Sequence, residues 1–269
     1  MKAGLVFLAL GLVLFSGCVS KGNGADLVIA GSTTVQPIVA RASEVYSEEH
    51  PEVSIGVEGG GSGTGIRMVS EGSVAIGASS RDLSADEKSK NPDLFTTTIA
   101  LDCIAIVVNP SNNLSNASLT LNQIRDIFSG KITNYKDLGG PDRRIVVVER
   151  EDGSGTRSMF ESMVMNNTDV SDAALQKPAS GAIRFTVSGN ENAIGYVGIG
   201  YLDGSITPIA INGILPSEES VRAKSYPLSR DLYLITRGQP TGLAREFIDY
   251  LLSEKGQKIV KEEGFIDIK

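Results

Sequence analysis

LVIAGSTTVQPIVARASEVYSEEHPEVSIGV, residues 27–57, switches its hydrophobic period twice. Leu27–Ala30 is a short apolar run of strand length. Gly31-Ser32-Thr33-Thr34 interrupts it and leads into a helical pattern from Val35 to about Glu49, closed by His50-Pro51. Val53–Val57 then alternates, which predicts a second strand. Strand, helix and strand in this order form a parallel βαβ unit, with helices packed against the sheet faces.

The alternation continues along the chain. A loop, Glu58-Gly59-Gly60-Gly61-Ser62-Gly63-Thr64-Gly65, leads into a predicted helix over Ile66–Glu71. Val74–Ala78 reads as a third buried strand, ending at Ser79-Ser80-Arg81-Asp82. Thr98–Val108 is too extended for one small sheet and reads as a strand passing from a first domain into a second. The second domain is expected to hold a helix at Leu121–Phe128, strands at Ile145–Glu149 and near Ile194–Val197, and a helix after Gly155. Tyr226–Thr236, a β-rich stretch with a polar interruption at Ser229-Arg230-Asp231, brings the chain back. Amphipathic helices over Gly242–Leu252 and Glu254 to about Glu262 close it. The expected fold class is α/β, with lobe 1 formed by residues 26–106 and 230–269 and lobe 2 by residues 107–229. Two crossing strands would join the lobes, and a ligand cleft would lie between them.

Composition narrows the function. The 269 residues carry a net charge of −7, against a nucleic-acid binder with a basic face, while a small anion can still find a locally positive pocket. Lys2, the apolar run Ala3–Phe15 and Ser16-Gly17-Cys18 form the pattern of a secretory signal over residues 1–17. The run falls short of the roughly 20 residues a membrane span requires. It resembles a lipoprotein signal, with Phe15 where Leu is usual. Cys18 is then the expected lipid-bearing residue and residues 18–25 a flexible tether on the outer face of the cytoplasmic membrane. The other cysteine, Cys103, lies in an apolar run and reads as a buried thiol without a disulfide partner. Asn113, Asn116 and Asn166 each open an Asn-x-Ser/Thr sequon.

Three segments share one design, a strand followed by Gly with Ser or Thr and then a helix start. They are Gly31-Ser32-Thr33-Thr34, Gly61-Ser62-Gly63-Thr64-Gly65 and Asp152-Gly153-Ser154-Gly155-Thr156-Arg157. Helix starts present unpaired N–H groups, Gly permits close backbone approach, and hydroxyls add donors, so each segment can receive an anion. Each is equally readable as a simple helix cap; three spread over both domains favour the anion. Arg150, at the end of a strand, offers a planar fork for a tetrahedral oxyanion, and Asp152 is placed to steady it. An enzyme is disfavoured. Ser62 and Ser154 lack the Gly-x-Ser-x-Gly setting, the sole histidine His50 sits among acids beside Pro51, and no phosphate-loop motif or metal-ligand set is present.

Six pieces taken together resemble the phosphate-binding lipoproteins of phosphate ABC importers, over about Leu27 to Ile266. They are GSTTVQPI (31–38), GGGSGTGI (59–66), IGASSRDL (76–83), LNQIRDIFSGKITNYKDLGG (121–140), REDGSGTR (150–157) and YPLSRDLYLIT (226–236). The resemblance implies a type II periplasmic-binding-protein fold, no catalysis and no cofactor, and a monomer that hands inorganic phosphate to permease and ATPase subunits. It implies phosphate contacts from Ser32, Thr33 and Ser62 on one lobe and from Arg150, Ser154, Gly155 and Thr156 on the other. Ser80 aligns with an aspartate of the Gram-negative members that accepts the proton of the ligand; here Ser80 itself, or Asp82 reaching in beside Arg81, would take that role, or discrimination against sulfate is weaker, and Ser79-Ser80 reads equally as a helix cap or turn. Sulfate or molybdate as ligand, a phosphatase using Ser62 or Ser154, and an adhesin or sensory module remain the alternatives.

Overall fold

The computed structural model describes residues 25–112, 114 and 118–269. The expected signal segment, Cys18, the tether up to residue 24, Asn113 and Asn116 lie outside the described residues. The elements run β1 (Leu27–Gly31), α1 (Gln36–Glu49), β2 (Ile55–Glu58), α2 (Ser62–Ser70), β3 (Ile76–Ser79), α3 (Ala85–Lys90), β4 (Leu94–Val108), β5 (Ser118–Leu119), α4 (Leu121–Phe128), β6 (Val146–Arg150), α5 (Gly155–Phe160), β7 (Leu175–Lys177), α6 (Ser180–Ser188), β8 (Ala193–Gly198), β9 (Thr207–Pro208), β10 (Ala210–Ile211), α7 (Glu218–Arg222), β11 (Ser229–Arg237), α8 (Gly242–Leu252) and α9 (Glu254–Glu262). Among the described residues no helix is long and apolar enough to cross a membrane.

The principal sheet has the order β2-β1-β3-β11-β4-β8-β6-β7, with β9 also on β4. β1 pairs in parallel with β2 and β3, as the βαβ reading requires. The 15-residue β4 joins two halves of this sheet: Leu94–Cys103 pairs with β11, and Ile104–Val108 pairs with β8. Its second half is apolar without alternation because it is buried on both faces, with every side chain from Ile104 to Val108 fully covered.

Each half has its own core. In the first, Ile29, Ile38, Val39, Phe247, Leu251 and Val260 pack together, so the C-terminal helices α8 and α9 cover the sheet that starts the chain. In the second, Ile104, Ile106, Phe128, Phe160 and Tyr196 pack together, and the Phe160 and Tyr196 rings stack at 4.3 Å. Cys103 is buried, and that burial, reinforced by the charge of Asp102, pushes its thiol pKa up, as an inert side chain requires.

Several boundaries shift by one to four residues from the sequence reading, and two of the shifts and one missed helix bear on the site. α2 starts at Ser62 rather than Ile66, so the Gly-rich segment forms the first helical turn itself. β4 starts at Leu94, because Leu94–Thr97 continues the ladder with β11. α6 was not anticipated, its short apolar period being masked by Ser180-Gly181 at its start.

Gly31 shows how tightly the loops are set. Its φ is +136°, and a Cβ there would lie 2.3 Å from the carbonyl oxygen of Ala78 on the neighbouring strand. Gly31→Ala is expected to lower the unfolding free energy by roughly 2–3 kcal/mol; urea denaturation of the purified protein checks this.

Candidate anion site between the two halves

The ends of β1, β2 and β3 on one side and of β6 on the other bring four helix starts to one place. From the first half come Thr33 and Thr34 ahead of α1, Ser62 opening α2, and Ser80 after β3. From the second come Arg150 ending β6, Ser154–Thr156 opening α5, and Ser180 opening α6. Ser32, Thr33, Thr34, Ser62, Ser80, Arg150, Ser154, Thr156 and Ser180 are all buried.

The two sides touch through polar atoms. Thr34 Oγ1 lies 2.9 Å from Thr156 Oγ1 and 3.4 Å from Ser180 Oγ. The Ser180 amide donates to Thr33 Oγ1 at 3.3 Å, and the two hydroxyls stand 3.5 Å apart. The Gly63 amide donates to the Gly153 carbonyl at 3.0 Å, and Tyr201 Oη donates to the Thr33 carbonyl at 2.5 Å. Ser62 Oγ accepts from the Ser80 amide at 3.0 Å and lies 3.3 Å from Ser80 Oγ. Hydroxyl pairs usually meet at ~2.7–2.8 Å. Several of these are longer, so the hydroxyls are gathered around one locus while retaining donor capacity for something else.

Gly155 sits where the halves come closest. A Cβ there would lie 2.2 Å from Ser62 Oγ and 2.8 Å from Ser80 Oγ, so no larger residue fits this approach.

Arg150 is 1% exposed. Its guanidinium is oriented by neutral acceptors: Nε donates to the Lys177 carbonyl at 3.3 Å, Nη2 to the Pro178 carbonyl at 3.2 Å, and Nη1 to Ser180 Oγ at 3.2 Å. The nearest carboxylate, Glu151, is 3.7 Å away and more than one-third exposed. Burial pulls the pKa of Arg150 down, and the charge of Glu151 acts against it. A guanidinium covered in this way, with a single distant and partly exposed carboxylate against it, favours an anion beside it.

Not every expected residue turns inward. Ser32 Oγ accepts from the Thr34 amide at 3.2 Å, and Ser154 Oγ caps α5 by accepting from the Arg157 amide at 3.2 Å. Both therefore shape the loops that carry the inward groups. Asp152 does not steady Arg150: it is nearly fully exposed and pairs with Arg157 at 3.0 Å. Asp82 does not reach in either, since it is exposed and accepts from Tyr233 Oη at 2.9 Å. Arg81 is tied to Glu87 at 2.7 and 2.8 Å, away from the cleft.

Four residues escaped the sequence reading. Ser180 follows Lys177-Pro178-Ala179 and repeats the strand, small polar residue and helix design of the other three segments, a signal that was available. Tyr201 carried none. Asp102 and Arg230 are charges inside apolar strand stretches, opposite one another in the β4–β11 register. Arg230 Nε and Nη2 lie 2.7 and 2.6 Å from Asp102 Oδ2, and Nη1 donates to Thr156 Oγ1 at 3.1 Å.

A family model described as a PBP superfamily domain matches residues 19–255. A Bacillus subtilis relative named phosphate-binding protein PstS is 38% identical over 252 residues, covering 92% of this chain and 82% of the relative. The chain belongs to this family of substrate-binding proteins. A Borreliella burgdorferi protein of the same name is 28% identical, with 98% of each chain covered. Among solved structures of the family, a candidate phosphate ABC transporter substrate-binding protein from Clostridium perfringens, with bound phosphate, superposes with a TM-score of 0.85 at 40% identity, covering 90% of this chain and 99% of that one. An ABC-type phosphate transport receptor from Vibrio cholerae gives 0.74 at 36% identity, with 90% and 99% covered. The fold is the two-lobed α/β architecture of type II periplasmic binding proteins, the two halves of the sheet being its lobes.

The Arg81–Glu87 pair serves stability. The Arg81 hydrogen bonds hold the Glu87 pKa down at about 2 from its ordinary 4.5. A depressed folded-state pKa adds stability above pH ~4.5 that is lost as pH falls toward ~2. Glu87→Gln is therefore expected to lower stability by roughly 1 kcal/mol at pH 7, after allowance for solvent screening. Denaturant titrations across that range should show the difference from the native sequence closing in acid, with ligand affinity at pH 7 unchanged.

Proposed function

We propose that the protein captures inorganic phosphate between its lobes, residues 26–106 with 230–269 and residues 107–229, and delivers it to the permease and ATPase subunits of an ABC importer. The observation that carries this reading is the buried Arg150, whose one carboxylate neighbour, Glu151, is 3.7 Å away and partly exposed. Its guanidinium donates to Ser180 Oγ, which in turn lies against the Thr33 and Thr34 hydroxyls of the other lobe. The named relatives and the phosphate-bound Clostridium perfringens structure supply the ligand class. Thr33, Thr34, Ser62, Ser80, Thr156, Ser180 and the backbone at Gly155 are the further phosphate contacts in this reading, with Ser32 and Ser154 holding their loops. Cys18, lipidated, would keep the protein on the outer face of the membrane.

Binding without turnover is part of this reading, supported by the relatives' naming as binding proteins. Ser62 Oγ faces Ser80, and Ser154 Oγ is occupied by the Arg157 amide, so neither hydroxyl has a base in contact among the described residues. His50 stacks on Tyr46 at the end of α1. Hydrogen bonds to a charged group contribute roughly 1.5–3 kcal/mol each. A handful suffices for micromolar affinity, about −8 kcal/mol, after the costs of lobe closure and desolvation.

Selectivity among tetrahedral oxyanions is open in chemistry, because Ser80 replaces a carboxylate and Asp102, the buried acid nearest the cleft, is engaged by Arg230. Isothermal calorimetry of the mature protein with phosphate, sulfate and molybdate is the deciding measurement. Phosphate is expected to bind most tightly, and a protein that prefers sulfate or binds none of the three overturns the proposal. Arg150→Ala is expected to weaken phosphate binding at least tenfold. Gly155→Ala should also weaken it at least tenfold by holding the lobes apart, with little change in melting temperature.

A further inference from the structure

Arg230 and Asp102 stand where the two crossing strands pass between the lobes, and neither is explained by packing alone. Their side chains are 1% and 0% exposed. The pair faces both lobes. Arg230 Nη1 donates to the Ser80 carbonyl of lobe 1 at 3.3 Å and to Thr156 Oγ1 of lobe 2 at 3.1 Å. Asp102 Oδ1 accepts the Ile199 amide, at the end of β8, at 2.8 Å. A Cβ on Gly198 would lie 2.9 Å from Asp102 Oδ2, so lobe 2 backbone runs directly against the carboxylate.

The ion pair is also incompletely matched. Nε and Nη2 both approach the single oxygen Oδ2, and Nη2 lacks the alignment of a hydrogen bond and has no other partner among the described residues. A structural pair would ordinarily use the parallel two-oxygen fork. Here Asp102 spends its other oxygen on lobe 2, and one face of the guanidinium remains directed at site hydroxyls.

We propose that Arg230 is a second guanidinium of the anion site, one that joins the lobes when they close, and that Asp102 is the counter-ion that limits how strongly it holds the anion. This inference rests on the phosphate reading above. With Asp102 ionised, the buried charges of the cleft, Arg150, Arg230 and Asp102, sum to one positive charge. Removing Asp102's charge doubles that excess, and removing Arg230's abolishes it. A pair that serves only to hold the strands together would give variants that err in one direction, because either change damages the same hinge.

The test is phosphate calorimetry on Asp102→Asn, Arg230→Gln, Arg230→Lys and the double variant Asp102→Asn/Arg230→Gln, each checked for folding by circular dichroism and thermal melting. Asp102→Asn is expected to tighten phosphate binding at least threefold. Arg230→Gln should weaken it at least tenfold, and Arg230→Lys should fall between it and the native protein. The double variant, which removes both members of the pair together and so stays folded if a single change does not, is expected to bind at least threefold more weakly than the native protein, because it keeps the same excess charge but loses Arg230's own contact. Equal weakening by both single changes, or native affinity in the double variant, overturns the inference. The native protein's own titration is a separate result: if it fails to bind phosphate, the ligand reading falls, whatever the variants do.

Discussion

A positive charge held out of water, with only a partly exposed carboxylate 3.7 Å away to offset it, is the constraint on which this cleft is built. Arg150 cannot turn to solvent, because the strand that ends at it and the Lys177–Ser180 segment close over it. Carbonyl oxygens satisfy its hydrogen bonds in part, and Glu151 at 3.7 Å offsets only part of its charge. Around it the locus is built mostly from Ser, Thr and Gly, whose dipoles reorient at small cost, and the other buried charges there, Arg230 and Asp102, are paired with one another.

Bringing these groups together is a matter of topology. In a sheet with parallel units, the ends of strands on one edge face the starts of the helices that follow, so β1, β3 and β6 deliver their loops to one locus. The long β4 and its partner β11 let two separate cores share that edge. Apolar contact between the lobes is made beside the crossing strands, where Ile199 and Tyr201 pack against the core of the first half. In the cleft itself the lobes meet through hydroxyls, amides and a glycine, so closure there is governed by polar groups that an anion can reorganise.

The sequence made the fold legible because period and punctuation agreed. The βαβ unit of residues 27–57 and the over-long apolar run ending at Val108 were each readable from local pattern, as was Arg150 at a strand end. Residues whose role comes from pairing at a distance were harder. Asp102 and Arg230 are 128 positions apart, and only the β4–β11 register makes them neighbours. Asp152 misled for the opposite reason: nearness in sequence suggested a partnership with Arg150, but the turn at Gly153 sends its side chain outward to Arg157. Asp82, two residues after the inward Ser80, lies beyond the end of β3 at Ser79, where the chain turns its carboxylate outward to Tyr233 Oη.

The contrast between the two buried arginines follows from what a carrier must do. It has to hold its anion against water and then release it to another protein. Two uncompensated guanidiniums would hold a dianion strongly, but they would also repel one another in the unliganded cleft and raise the barrier to release. A single unmatched arginine on one lobe, with a second restrained by an acid at the crossing point, lowers both penalties. The restrained arginine touches both lobes, so its contribution depends on their relative position. An importer subunit that pries the lobes apart would then weaken the hold on the anion by moving the backbone, without competing for the anion itself.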